Sequence, residues 1–163
     1  MKKMTWTLLI ACAVVAALGA GLYIFFFARA NPALPADRVR VGPATFTVEI
    51  ADTMAAQARG LSYRANLADG HGMLFDFGTP GVQSFWMKDM NFPLDMIWIG
   101  GGKVLGFEEN APAPASGTPL WKLPIYNSPD GTDQVLEVNA GTVAKDGIKA
   151  GDAVAVAGGS RAG

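Results

Sequence analysis

The alternation of apolar and polar positions sets in after residue 38. In residues 44–50, Phe46, Val48 and Ile50 alternate with Thr45, Thr47 and Glu49, the period of two that gives a strand one buried and one wetter face. Residues 39–41 form a shorter apolar strand before it. Asp52 or Thr53 can cap a short helix over Met54–Arg59, because a side-chain oxygen there accepts a free backbone N–H, and Gly60 stops it. Further on come five short apolar runs, at 73–77, 84–88, 94–99, 103–108 and 135–139, each fenced by Gly, Pro, Asn or Asp. Gly100, Gly101 and Gly102 predict a hairpin between the third and fourth of these runs, since glycine supplies the positive φ that tight turns need. Residues 141–146 read as one helical turn stopped by Gly147, and Gly151-Asp152 turns the chain into a last strand at 153–157. This pattern predicts a mainly β, small α+β domain: a compact barrel-like antiparallel or mixed sheet with one short helix.

A different periodicity precedes it. Residues 5–27 contain no charge and are dominated by Leu, Ile, Ala, Val and Phe, behind Lys2 and Lys3. A helix of about twenty such residues covers the ~30 Å hydrocarbon core of a bilayer. The segment 1–29 therefore reads as an N-terminal transmembrane anchor with its start in the cytoplasm, although Arg29, Arg38 and Arg40 weaken the charge asymmetry. Two alternatives stay open: a signal peptide cleaved after the small residues around Ala28 and Ala30, and an acylated leader at Leu9-Ile10-Ala11-Cys12. All three send the rest of the chain out of the cytoplasm, membrane-anchored or secreted, and periplasmic in a bacterium. Residues 30–37, with Pro32 and Pro35, read as a linker, 38–157 as the domain and 158–163 as a flexible tail.

Composition narrows the function classes. The chain has 163 residues, 50% of them hydrophobic, and a mean hydropathy of +0.24, too apolar for disorder and too short for two ordinary domains. Cys12 is its single cysteine, so the exported part must be stable without disulfides. All 14 acidic residues lie beyond the apolar segment, against 10 of the 13 Lys and Arg once Lys2, Lys3 and Arg29 are set aside, a balance of four negative charges (14 minus 10) that argues against nucleic acid as a partner.

Ordered blocks carry a resemblance. Arg59-Gly60-Leu61, Gly72-Met73-Leu74-Phe75, Phe85-Trp86-Met87-Lys88, Pro93-Leu94-Asp95-Met96-Ile97, Val135-Leu136-Glu137-Val138-Asn139-Ala140-Gly141 and Gly147-Ile148-Lys149-Ala150-Gly151-Asp152 occur in that order. Over about 39–156 the chain resembles the uncharacterised family called domain of unknown function 192. The resemblance implies a small, mainly β, barrel-like domain, often behind an export signal, with no activity to carry over. Ser62 and Asp89 depart from the family pattern, which commonly has Met after Gly-Leu and Asn after the Lys.

Candidate chemistry centres on charges inside apolar runs. If 84–88 is a strand, Lys88 shares a face with Trp86; Asp95 in the next run shares one with Ile97 and Ile99. A buried carboxylate needs partners, which Lys88, Arg59 or backbone amides after Pro93 can supply; the pair then either fixes a turn or faces a ligand. His71, the single histidine, lies in a Gly-flanked loop with no Cys nucleophile or Gly-x-Ser-x-Gly elbow to activate. Asp69, His71 and Asp76 lack any recognised metal-ligand spacing, and Met73, Met87, Met90 and Met96 are either thioether ligands for cuprous ion or core filler. No cofactor motif occurs. Residues 110–134 form the longest irregular stretch, with five of the ten prolines; its Trp121 and Tyr126 serve either as partner contacts or as a lid. The favoured expectation is a non-catalytic binding or accessory module for a small ligand or protein, with Trp86, Lys88, Asp95, Arg59 and His71 as candidate ligand-binding residues and no catalytic or metal residue. The alternative is a hydrolase-like enzyme using Asp95, Asp76 or His71 with Lys88.

Overall fold

A computed structural model describes residues 30–158, together with residues 10, 12–19 and 21 of the N-terminal segment. Those N-terminal residues are helical and exposed, and among the described residues no helix is long and apolar enough to cross a membrane. The anchor, signal and acylation readings of 1–29 fall mostly outside the described residues, as does the tail after residue 158.

Nine strands and two short α-helices make up the domain. They are β1 (Ala36–Val41), β2 (Ala44–Ala51), α1 (Met54–Arg59), β3 (His71–Gly81), β4 (Ser84–Phe85), β5 (Leu94–Gly100), β6 (Lys103–Ala111), β7 (Tyr126–Asn127), β8 (Thr132–Asn139), α2 (Thr142–Asp146) and β9 (Val154–Val156). Seven strands form one sheet in the order β6-β5-β8-β3-β2-β1-β9, antiparallel except for β2 beside β3, and β4 pairs with β7 apart from it. The large sheet curls into a half-barrel. At one corner its two edges meet, because Ala153 bridges to Lys103 and Val154 N donates to Gly102 O at 2.8 Å.

Local chemistry explains the elements. Thr53 Oγ accepts from Ala56 N at 3.2 Å and caps α1, whose chain then turns out through Gly60 at φ 51°. Gly101 and Gly102, at φ 57° and 70°, make the hairpin that pairs Gly100 with Lys103. Strand alternation divides the apolar residues in two. Val39, Val48, Leu74, Ile97, Ile99, Leu136 and Val138 fill the concave side and pack on Val143 and Ile148 around α2. Met73, Phe75, Met96, Trp98 and Val135 face the other way, under a cover built from α1, Leu61 and residues 85–90.

Three readings of the sequence need correcting. The run 84–88 is a strand only at Ser84–Phe85, because the chain breaks away at residue 86 to pass over the sheet, so strand geometry does not place Lys88 beside Trp86. The helical turn expected over 141–146 is present as α2, which makes two short helices where the fold class named one, and the irregular stretch 110–134 contains a 3-10 turn (Leu120–Lys122) as well as β7. Residues 30–37, read as a linker, make specific contacts with the domain and end inside β1. Asn31 is buried and its Nδ2 donates to Ala56 O and Gly60 O at 2.9 Å each, Leu34 N donates to Glu49 Oε2 at 3.2 Å, and β1 already begins at Ala36.

Candidate functional site

The convex cover does not close completely. Between α1, the segment 84–90 and the sheet lies a cavity of about 560 Å³, within the usual range for small-molecule sites. Its walls are mostly apolar: Leu61 beyond α1, Phe75 and Phe77 on β3, Phe85 and Trp86 opposite, with Met90 and Leu120 closing one side. The aromatic rings lock edge to face, Phe75 on Phe85 at 5.0 Å between centroids and Phe85 on Trp98 at 5.7 Å.

One carboxyl interrupts this lining. Glu137, on β8 in the middle of the sheet, stands opposite Met73 on β3 and Met96 on β5, both fully buried. Alternation along β8 sends Leu136 and Val138 into the concave core and Glu137 to the cavity, where the residue is 5% exposed. Among the described residues no hydrogen bond or ion pair holds its carboxyl. Burial alone raises its pKa from 4.5 to about 8, so the group is un-ionised at neutral pH and presents one O–H donor and one C=O acceptor.

The cations lining the cavity are Arg59, at the end of α1, and Lys88. A clamp between two turns sets Lys88 in place. Ser62 Oγ donates to Lys88 O at 2.8 Å, Tyr63 N to Asp89 O at 2.9 Å and Tyr63 Oη to Asp89 Oδ2 at 2.6 Å. Asp89 adopts φ 56° and Tyr63 φ 63°, and the former explains one departure from the family pattern: Asp, like Asn, tolerates the left-handed region. Lys88 Nζ lies 3.6 Å from Asp89 Oδ2 and 6.0 Å from the Trp86 ring centroid. On the far side of Lys88, Met90 and Leu120 a second hollow of about 340 Å³ opens, lined by Tyr63, Asp89 and the loop from Ala113 to Thr118.

The remaining predicted residues go elsewhere. Asp95 is completely buried on the concave face, where its Oδ1 accepts from Asn110 N at 2.8 Å and Gly141 N at 3.1 Å and its Oδ2 accepts from Val143 N at 2.9 Å. It caps α2, whose first residues lack a capping side chain of their own, and pins the end of β6. Lys88 and Asp95 thus lie on opposite faces of the sheet and do not form the expected pair. His71 is exposed at the start of β3 with Nδ1 3.2 Å from Asp69 O, outside the cavity. Asp69, His71 and Asp76 do not converge, and no group of three His, Cys, Asp or Glu side chains suited to a metal ion occurs among the described residues. Met73, Met87, Met90 and Met96 sit together in the convex core. Trp121 is 85% exposed and covers nothing, whereas Tyr126 packs on that core and pairs with Phe85, its phenol pKa raised by burial and then by Glu108. The hydrolase reading loses its geometry, because Asp95, His71 and Lys88 share no cleft.

Sequence reasoning passed over Glu137. The signal was present, since Val135, Glu137 and Asn139 occupy alternate positions of an apolar strand and a lone acid there must either find a partner or lose its charge.

Solved structures share the architecture. A candidate transcription regulator from Sinorhizobium meliloti is 36% identical, with a TM-score of 0.69 over 78% of this chain and 98% of its own. A protein of unknown function from Novosphingobium aromaticivorans is 33% identical, with a TM-score of 0.68 over 78% of this chain and 91% of its own. Nearly all of the first chain lies within the match, and that chain is folded in its crystal. Comparison with curated proteins finds no match. The family model of domain of unknown function 192, described as an uncharacterised ACR, matches residues 37–156, and the chain belongs to that family.

Proposed function

We propose that the domain is a non-catalytic binding module that takes a small, mostly apolar ligand in the cavity between α1 and residues 84–90, and that it works at the outer face of the cytoplasmic membrane. The observation that carries the first part is Glu137: an unpartnered carboxyl, almost fully buried, opening onto an aromatic cavity. A ligand that displaces solvent from this carboxyl must supply its partner, because a buried polar group left without one costs roughly 1–3 kcal/mol. The two serine hydroxyls that line the cavity donate elsewhere, Ser62 Oγ to Lys88 O and Ser84 Oγ to Asn127 Oδ1, which favours binding over reaction. The second part rests on the charge-free run 5–27 behind Lys2 and Lys3.

Binding is tested on residues 30–163 with the fluorescent aromatic anion anilinonaphthalene sulfonate. Saturable one-to-one binding that is lost on filling the cavity with Ser84→Trp supports the reading; no binding, or binding that the substitution leaves untouched, removes it. Placement is tested on the full chain in bacterial spheroplasts. External protease should digest the domain while a cytoplasmic marker survives, and protection of both sinks that part of the proposal.

A further inference from the structure

We infer that the cavity selects an apolar molecule ending in a carbonyl oxygen, which Glu137 receives by donating its carboxyl O–H, and that it rejects apolar cations. This rests on the binding reading above and names the ligand's chemistry. The geometry supplies three constraints. First, the floor offers a single polar group, and the strand neighbours on either side of it, Met73 and Met96, contribute no donor or acceptor. The lining's other uncharged polar side chains donate elsewhere, Gln57 Nε2 to Ala51 O and Asp76 O, Ser62 Oγ to Lys88 O and Ser84 Oγ to Asn127 Oδ1, so a polar atom at the ligand's inner end meets the carboxyl of Glu137.

Second, the charged groups facing the cavity have one sign. α1 contributes Arg59, the segment after β4 contributes Lys88, and β3, Leu61 and Leu120 contribute no titratable side chain. Asp89 faces away, in the second hollow, paired to Lys88 and Tyr63. An ammonium in the cavity would share it with two cationic side chains, whereas a neutral molecule, or one with an anionic end, has no such neighbour of like charge. Third, the carboxyl keeps its proton up to about pH 8, so at neutral pH it is a donor waiting for an acceptor and not an anion waiting for a counter-ion. A carbonyl oxygen fits that donor, and the Phe75, Phe77 and Phe85 rings fit an apolar body behind it.

A matched set of naphthalene probes reads the inference directly: acetylnaphthalene carries the carbonyl, ethylnaphthalene replaces it by a methylene, and naphthylethylammonium replaces it by a cation. Affinities are measured on residues 30–163 by tryptophan fluorescence between pH 6 and pH 10. At pH 6 the acetyl probe should bind about tenfold more tightly than the ethyl probe, the worth of one satisfied buried hydrogen bond. That advantage should fall about tenfold per pH unit above pH 8, as the donor ionises. Glu137→Gln, which keeps an N–H donor in the same place, should retain the preference and lose its pH dependence. Equal binding of acetyl and ethyl probes overturns the inference while leaving the cavity reading intact, and so does an ammonium probe that binds best and tightens as pH rises. Failure of all three probes to bind overturns both. The wild-type pH profile decides the matter even if the variant does not fold.

Discussion

Replacing Glu137 by Gln should change how the stability of the domain depends on pH. Below pH 4.5 the carboxyl is protonated in both folded and unfolded chains and has no effect. As pH rises the unfolded chain releases the proton, while the folded chain, whose pKa is raised to about 8, keeps it. Stability is therefore lost progressively across the window from 4.5 to about 8 and is level beyond it. The full interval is 8 minus 4.5, or 3.5 units, equivalent to about 5 kcal/mol at 1.36 kcal/mol per unit; between pH 5 and pH 8 the loss is roughly 3 kcal/mol. Glutamine has nothing to ionise. Urea denaturation of wild type and variant at pH 5, 6, 7 and 8 isolates the effect, because every other titration is common to both. The variant should gain on the wild type by roughly 3 kcal/mol from the lowest to the highest pH. Parallel stability profiles would mean that the carboxyl ionises as easily in the folded chain as in water, and the account of the cavity floor would fall with them.

Other outcomes follow from the same coordinates. Asp95→Ala strands three backbone donors, on Asn110, Gly141 and Val143, and should cost about 3–5 kcal/mol in denaturation while Asp95→Asn costs less. Gly72→Ala places a methyl 2.7 Å from Glu137 O on the neighbouring strand, so a loss of roughly 1–3 kcal/mol in thermal or chemical stability is expected; no loss would show that β3 and β8 can part there. Asn31→Ala removes both hydrogen bonds to the end of α1 and should lower stability by about 1–3 kcal/mol, with faster amide exchange in residues 56–60 as the local signature.

The parts of the fold written in local chemistry were legible. The capped helix Met54–Arg59, the glycine hairpin after β5 and the stop at Gly147 each depend on a few adjacent residues whose conformational preferences are strong. The run 84–88 was not. Beyond the short pairing of Phe85 with Tyr126, Met87 is buried by packing across the sheet while Trp86 stays exposed, and periodicity cannot tell this from a strand over five residues. The parallel placement of β2 beside β3 was hidden too, because it depends on where the connection through α1 returns the chain. At the site, the rule that a buried charge needs partners correctly singled out Asp95, and backbone amides turned out to be those partners. The same rule applied to Glu137 leads to the opposite answer, a group that sheds its charge, and only the coordinates separate the two. Of the candidates, Arg59, Trp86 and Lys88 line the same cavity, while His71 and Asp95 do not.

The docking of Asn31 bears on how the domain is mounted. Only Ala28, Arg29 and Ala30 separate the apolar run from this clasp, a reach of about 10 Å at full extension. On the proposed tethering the module therefore has no leash: it is bolted close to the bilayer by the same carbonyls that end α1, and the cavity wall can approach the lipid surface but cannot swing far from it. A ligand that partitions into lipid would then have a short path to the opening.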